Sequence, residues 1–289
     1  MLDFPKDVEF FVDWHLTNRC NFSCAYCHPQ IRRVLNTNIG IEHKPHLVAD
    51  QFNNLELTCG ILLSGGEPFL YPDFTELCKL LTNRHYIKIN SNLSIRRQIV
   101  EFAASVDAMR VTQIVAALHV SERERLNQPL SLFAENYRLL KERCFNVVAL
   151  YVLYPPLLNR AKEDISQLKD LGVDLIAAKV FKGVYEKKRY PEGYTDFEKE
   201  QIEALSGSYP NNKDYLESPL SFKGFLCNAG CNSVKITVTG DVYRCASVQN
   251  DKLGNIFNGT FQVADHAKPC PASRILALSE CKRNIVDKL

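Results

Sequence analysis

Three cysteines lie close together near the start of the chain, in the run Cys20-Asn-Phe-Ser-Cys24-Ala-Tyr-Cys27. Three thiolates from one short loop can hold three irons of a four-iron, four-sulfur cluster, and the fourth iron is then left without a protein ligand. A ferredoxin takes all four thiolates from protein, so an open iron marks a centre where a small molecule can bind and react. The same residues also admit a structural zinc site, which wants four ligands, with His28 as the fourth. A disulfide framework fits poorly, because the chain is long, has no secretory leader and carries an odd number of cysteines, eleven.

A second run, Leu63-Ser64-Gly65-Gly66-Glu67-Pro68, follows the apolar segment that begins at Cys59. It reads as the end of a buried strand and a glycine turn, with a helix starting near Asp73, a good cap residue. Paired glycines let the backbone approach a ligand with no side chain between. Glu67 then stands at the C-terminal end of a strand, the edge where α/β folds gather their chemistry.

Five of the eleven cysteines, Cys227, Cys231, Cys245, Cys270 and Cys281, fall in the last quarter of the chain. They flank two alternating segments, Val234 to Val238 and Val242 to Cys245, joined through Thr239-Gly240-Asp241, which is a hairpin signal. Thiols clustered in this way in a cytosolic protein usually bind metal. Cys59, Cys78 and Cys144 sit in or beside apolar stretches and read as small buried hydrophobes.

The elements that must position these residues alternate. Strand-like segments run from Val8 to Leu16, Cys59 to Leu63, Tyr86 to Asn90, Thr112 to Leu118, Asn146 to Leu153 and Val173 to Val180. Helical periodicity fills the spaces between, at Lys44 to Leu57, Asp73 to Asn83, Ile95 to Ala103, Leu130 to Arg143 and Arg160 to Leu171. Six such alternations predict a parallel, right-handed wound sheet, too few for a closed eight-stranded barrel. His15, just before the cysteine loop, faces into or away from such a barrel, and alternation alone leaves both open. After a last helix at Phe197 to Leu205 the polar stretch from Ser206 to Ser218 reads as a connector.

In these motifs and in the order of elements over residues 8 to 185, the sequence resembles the radical S-adenosylmethionine (SAM) superfamily. Members carry Cys20, Cys24 and Cys27 in this spacing after the first strand, and the Gly-Gly-Glu motif after the second. The resemblance implies a partial (β/α)6 TIM-like barrel in which SAM chelates the open iron through its amino and carboxylate groups. It places Gly65, Gly66, Glu67 and Pro68 at the amino group and Tyr26 near the adenine. Ser91 and Asn92 end the third strand, where members contact the ribose or methionyl group, although Asn92 also suits a plain turn. His119 ends the fourth and is either another SAM contact or a structural histidine. The family's reaction is reductive cleavage of SAM, with an electron from a flavodoxin or ferredoxin, to a 5′-deoxyadenosyl radical that abstracts hydrogen from substrate.

The last quarter resembles the SPASM and twitch extensions of radical SAM enzymes, through Cys227, Gly240, Cys245 and Leu253-Gly-Asn-Ile256. That implies a small cysteine-rich β-hairpin extension holding one auxiliary [4Fe-4S] cluster. Two ligand sets stand open: Cys227, Cys245, Cys270 and Cys281 closing the site, or Cys227, Cys231 and Cys245 leaving an open iron. Ten residues separate Cys270 from Cys281, where a tighter pair is more usual. Zinc at the same thiols is a further reading. The expected division is a barrel over residues 1–205, a connector over 206–219 and the auxiliary unit over 220–289.

With 289 residues, 46% of them hydrophobic, the chain can bury a full core plus a small appendage. A formal charge of +2 makes no case for nucleic acid or an acidic membrane surface. There is no long uninterrupted apolar run, and the expectation is a cytoplasmic protein. The basic run Glu186-Lys-Lys-Arg189 reads as a solvated loop or as a greeting for an acidic substrate. Only nineteen residues precede Cys20, so no N-terminal peptide-recognition domain is expected. The tail lacks the paired glycines of the molybdenum-cofactor branch. The substrate expected is a small molecule, or a peptide presented by a separate protein, undergoing oxidation, cross-linking or epimerisation. The competing reading of another class is a non-catalytic iron–sulfur or zinc scaffold, which would have no use for the Gly-Gly-Glu strand end.

Overall fold

The computed structural model describes residues 4–27, 36, 44–205, 216, 221–272 and 284–288. Its six leading strands are β1 (Phe10–Thr17), β2 (Cys59–Gly65), β3 (Tyr86–Ser91), β4 (Val111–Ala117), β5 (Val147–Leu153) and β6 (Ile176–Val180). They lie side by side in chain order, and every neighbouring pair is parallel. Between them run α1 (Pro45–Asn53), α2 (Phe74–Thr82), α3 (Arg96–Ser105), α4 (Val120–Arg125), α5 (Leu130–Glu142) and α6 (Ala161–Asp170), with α7 (Asp196–Leu205) after β6. This is the alternation the sequence predicts, and the architecture is that of a partial barrel.

Alternation along each strand decides which residues reach the core. On β1, Phe10, Val12 and Trp14 are buried against the helix layer, and the Trp14 ring lies 5.6 Å from Phe52 of α1. Cys59, Ile61 and Leu63 of β2, Ile87 and Ile89 of β3, and Val147, Ala149 and Tyr151 of β5 continue that face. Phe11, Asp13 and His15 therefore point to the concave side. The register sets Asp13 beside Leu62, Leu62 beside Lys88, and His15 beside Ser64. Asp73 precedes α2 as expected but makes no side-chain cap bond, its backbone being left-handed at φ 52°.

The last quarter continues the same sheet. β10 (Ser233–Ile236) pairs in parallel with β1, then β11 (Asp241–Cys245) and β12 (Val248–Asn255) follow antiparallel, giving the order β12-β11-β10-β1-β2-β3-β4-β5-β6. The predicted turn before Asp241 is there, with Gly240 at φ +78°, a left-handed value that favours glycine. A small second sheet sets β9 (Phe225–Cys227) between β13 (Lys268–Pro269) and β14 (Ile285–Lys288). β7 (Gly183–Tyr185) and β8 (Lys188–Tyr190) form a separate hairpin after β6, so Glu186 and Lys187 of the basic run make its tip.

Candidate active site

The cysteine loop leaves β1 at Thr17 and is tied to the C-terminal ends of β2, β3 and β4. At β2 the Gly66 N–H donates to the Thr17 carbonyl at 2.6 Å, and the Glu67 N–H to the Arg19 carbonyl at 2.7 Å. A methyl group on Gly66 would stand 2.1 Å from the Arg19 oxygen, and one on Gly65 would stand 2.4 Å from the Thr17 oxygen. The close approach these glycines permit is thus to the start of the cysteine loop itself. Gly65, at φ +135°, also needs glycine for its backbone.

The Glu67 side chain is buried and turned toward β3. Its carboxylate accepts from Ser91 Oγ at 2.7 Å, the Asn92 N–H at 2.7 Å and the Phe69 N–H at 3.2 Å. Burial outweighs these donors and the nearby Arg123 charge, and pushes the carboxyl up to about 7. Pro68 opens the short 3-10 turn Pro68–Leu70 that follows. Asn92 donates through its amide to Asn21 Oδ1 at 3.0 Å, and Asn21 donates to Ser94 Oγ at 2.8 Å, so the end of β3 also grips the cysteine loop.

At the end of β4, Tyr26 and His119 form a pair, with 3.1 Å from the hydroxyl to His119 Nδ1 and ring centroids 5.6 Å apart. Burial and the neighbouring Arg123 hold His119 at about 4, so its ring is neutral, and its tautomer sets which of the pair donates. Tyr26 packs on its other side against Tyr154 at 5.0 Å. One turn into α4, Glu122 accepts from the Ser23 N–H at 2.6 Å and holds Arg125 at 2.7 Å. Arg123, fully buried, donates to the carbonyls of Leu118 and Asn92 and lies over the rings of Phe22 and Phe133.

Glu67, Ser91, Asn92, Tyr26 and His119 thus converge on the loop bearing Cys20, Cys24 and Cys27. Asn21, Glu122 and Arg123 join them, and the sequence did not single these out. A Glu and an Arg in the polar run Val120-Ser-Glu-Arg-Glu-Arg125 carry no motif, and only the fold buries them. His15 sits at the floor of the concave side, held at about 4 by burial and by the charge of Lys235.

At the other edge of the sheet, Cys227, Cys245 and Cys270 lie in one buried cluster with Ala229 and Val248. Phe11 pairs with Ser233 and its N–H donates to the Asn232 carbonyl at 2.9 Å, so Cys231 lies at the N-terminal edge of β1. Cys231 is half-buried, and Cys281 and His28 fall outside the described residues.

The family model described as the radical SAM superfamily matches residues 14–157, which take in the end of β1, the cysteine loop and β2 to β5. The chain belongs to the radical SAM superfamily. It is 24% identical, over 280 residues, to the antilisterial bacteriocin subtilosin biosynthesis protein AlbA of Bacillus subtilis (strain 168), covering 90% of this chain and 60% of that protein. The chain spans no more than 60% of the length of the curated relatives it matches. Among solved structures it resembles native anSMEcpe with bound AdoMet, with TM-score 0.59 and 16% identity, over 87% of this chain and 80% of that one. It also resembles Streptococcus suis SuiB bound to the precursor peptide SuiA, with TM-score 0.55 and 15% identity, over 89% of this chain and 65% of that one. These likenesses carry the partial-barrel fold across most of the chain.

A radical SAM enzyme works with a [4Fe-4S] cluster and SAM, and the residues present suit that pair. Among the described residues the N-terminal donor set is thiol only, and Cys20 Sγ accepts the Phe22 N–H at 3.4 Å, a bond that favours a thiolate. Burial pushes the free Cys20 thiol up to about 11 and Cys24 higher still, so metal binding must displace protons from both. Among the described residues no three His, Cys, Asp or Glu side chains converge on a point suited to a single metal ion. A cluster asks for something else, one thiolate per iron. Among the described residues no helix is long and apolar enough to cross a membrane.

Proposed function

We propose that Cys20, Cys24 and Cys27 hold the catalytic [4Fe-4S] cluster and that SAM binds over the adjoining ends of β2, β3 and β4. The observation that carries this reading is the tethering of the cysteine loop to all three strand ends. Gly66 and Glu67, Asn92 and Glu122 each bond it directly. Such a loop presents three thiolates from a fixed frame and leaves the open side toward the concave face. Held by Cys20, Cys24 and Cys27, a cluster would supply the low-potential electron for reductive cleavage of SAM and so the radical chemistry of hydrogen abstraction.

The chain's own part is placement and exclusion of water. Tyr26, His119 and Tyr154 build an aromatic wall beside the loop, suited to the adenine. Glu67 and Ser91 spend their side chains on each other, so contacts to SAM at these positions fall to backbone groups. We assign Cys227, Cys245 and Cys270 to an auxiliary cluster, with Cys231 and Cys281 as the two remaining thiols of that quarter. A peptide is the proposed substrate class. What supports it is likeness to a bacteriocin biosynthesis protein and to an enzyme solved with a precursor peptide. The proposed donor is a flavodoxin or ferredoxin.

The test uses anaerobically reconstituted protein supplied with SAM and dithionite. The expected result is 5′-deoxyadenosine with about eight irons per chain, two four-iron clusters. Cys24→Ala is expected to abolish deoxyadenosine while keeping about four irons. Undiminished cleavage of SAM by that variant would sink the assignment.

A further inference from the structure

Arg244 is 4% exposed and sits among the C-terminal cysteines, directly before Cys245. Its guanidinium donates to four backbone carbonyls: Nε to Ala229 at 2.8 Å, one terminal nitrogen to Pro269 at 3.1 Å, and the other to Cys227 at 2.9 Å and to Lys268. It thereby ties β11 of the large sheet to β9 and β13 of the small one. The carbonyl it holds at Cys227 keeps its charge beside that thiol, and it also lies within electrostatic range of Cys231. Carbonyl dipoles satisfy its donors but bring no net negative charge. Among the described residues no carboxylate pairs with it within salt-bridge distance. A buried cation left without a counter-charge is costly, by several kcal/mol on general grounds. Asp265 lies within electrostatic range of the same Cys231, and the buried groups beside the guanidinium that can carry negative charge are the thiols.

We propose that Arg244 is the counter-cation of the C-terminal site, its charge balanced by thiolates of Cys227 and its neighbours once they ligate iron. This rests on the auxiliary-cluster reading given above. A cation held against the ligating sulfurs stabilises the extra electron of the reduced cluster, so Arg244 raises the reduction potential of that site. It is a positioning and tuning residue: it holds the backbone of Cys227 and of the segment before Cys270.

Full-length protein carrying Cys24→Ala isolates the C-terminal site, and its redox titration is compared with the same protein bearing Arg244→Met or Arg244→Lys. Loss of the cation in Arg244→Met is expected to make reduction at least tenfold less favourable, a shift of about 59 mV to lower potential for one electron. Arg244→Lys, which keeps the charge, is expected to fall between. Iron retained by Arg244→Lys and lost by Arg244→Met also supports the proposal. An unchanged potential in iron-loaded Arg244→Met overturns it. So does equal loss of iron from both variants, which would leave Arg244 as a bridge between carbonyls alone. A parent protein that binds no C-terminal iron at all would instead bring down the auxiliary-cluster reading, and the proposal with it.

Discussion

The Glu67 carboxylate takes three hydrogen bonds, from Ser91, the Asn92 backbone and the Phe69 backbone, and so spends its oxygens inside the protein. With its carboxyl at about 7 in the fold and an ordinary value of 4.5 when exposed, the sign of its contribution is fixed. Below pH 4.5 both states are protonated, and between 4.5 and 7 only the folded chain keeps the proton. Above that the fold holds a buried anion. The favourable contribution is therefore complete below the unfolded value and lost as pH rises through the folded one. Glu67→Gln has no proton to lose. Its stability relative to the parent is expected to improve by about 3 kcal/mol between pH 4 and pH 8, on top of a constant loss from the amide N–H meeting the Asn92 donor. Urea unfolding of the iron-free chain across that range measures the difference. A pH-independent gap would show that Glu67 stays ionised in the fold.

α4 is only six residues long, yet it places Glu122 against the loop between Cys20 and Cys24. Replacing Glu122 by Gln leaves an acceptor for the Ser23 N–H but removes the charge and the Arg125 fork. The expected result is faster loss of N-terminal iron to a chelator, with global stability lowered by about 1.5–3 kcal/mol, the range for a hydrogen bond to a charged group. Equal release rates in parent and variant would mean that α4 does not hold the loop. This element was not legible in the sequence, because Val120-Ser-Glu-Arg-Glu-Arg125 offers one apolar residue and no period. The six strands and their long helices were legible because buried parallel strands need apolar runs and amphipathic helices need a stripe. Cys20, Cys24, Cys27, Glu67 and Asn92 announced themselves by spacing and by place at strand ends. β9, β13 and β14 escaped because strands of two to four residues are set by pairing partners far away in the chain. Arg244 escaped for the same reason, since its acceptors lie on two segments distant in the chain, 227–229 and 268–269.

Across the whole molecule, β1 stands between two sets of thiols. The cysteine loop leaves its C-terminal end, while β10 lies along its flank with Cys231 at the opposite edge. An eight-residue strand separates them by roughly 23 Å at the usual rise. The two thiol sets proposed above as cluster sites thus stand at opposite ends of one strand. What joins the halves there is backbone pairing, the packing of Phe261 on Phe10 and of Phe257 on Trp14, and, among the described residues, the ion pair of Lys235 Nζ to Asp13 Oδ2 at 2.9 Å, each side chain 19% exposed. Removing either partner strands a half-buried charge, whereas removing both strands none. In a double-mutant cycle, Asp13→Asn and Lys235→Met are each expected to destabilise more than their share of the pair. The coupling energy should be about 1–2 kcal/mol, between the values for exposed and buried pairs. Urea unfolding of the four proteins gives that coupling directly, and strictly additive effects would show that the pairing of β1 with β10 holds the two thiol sites in place without it.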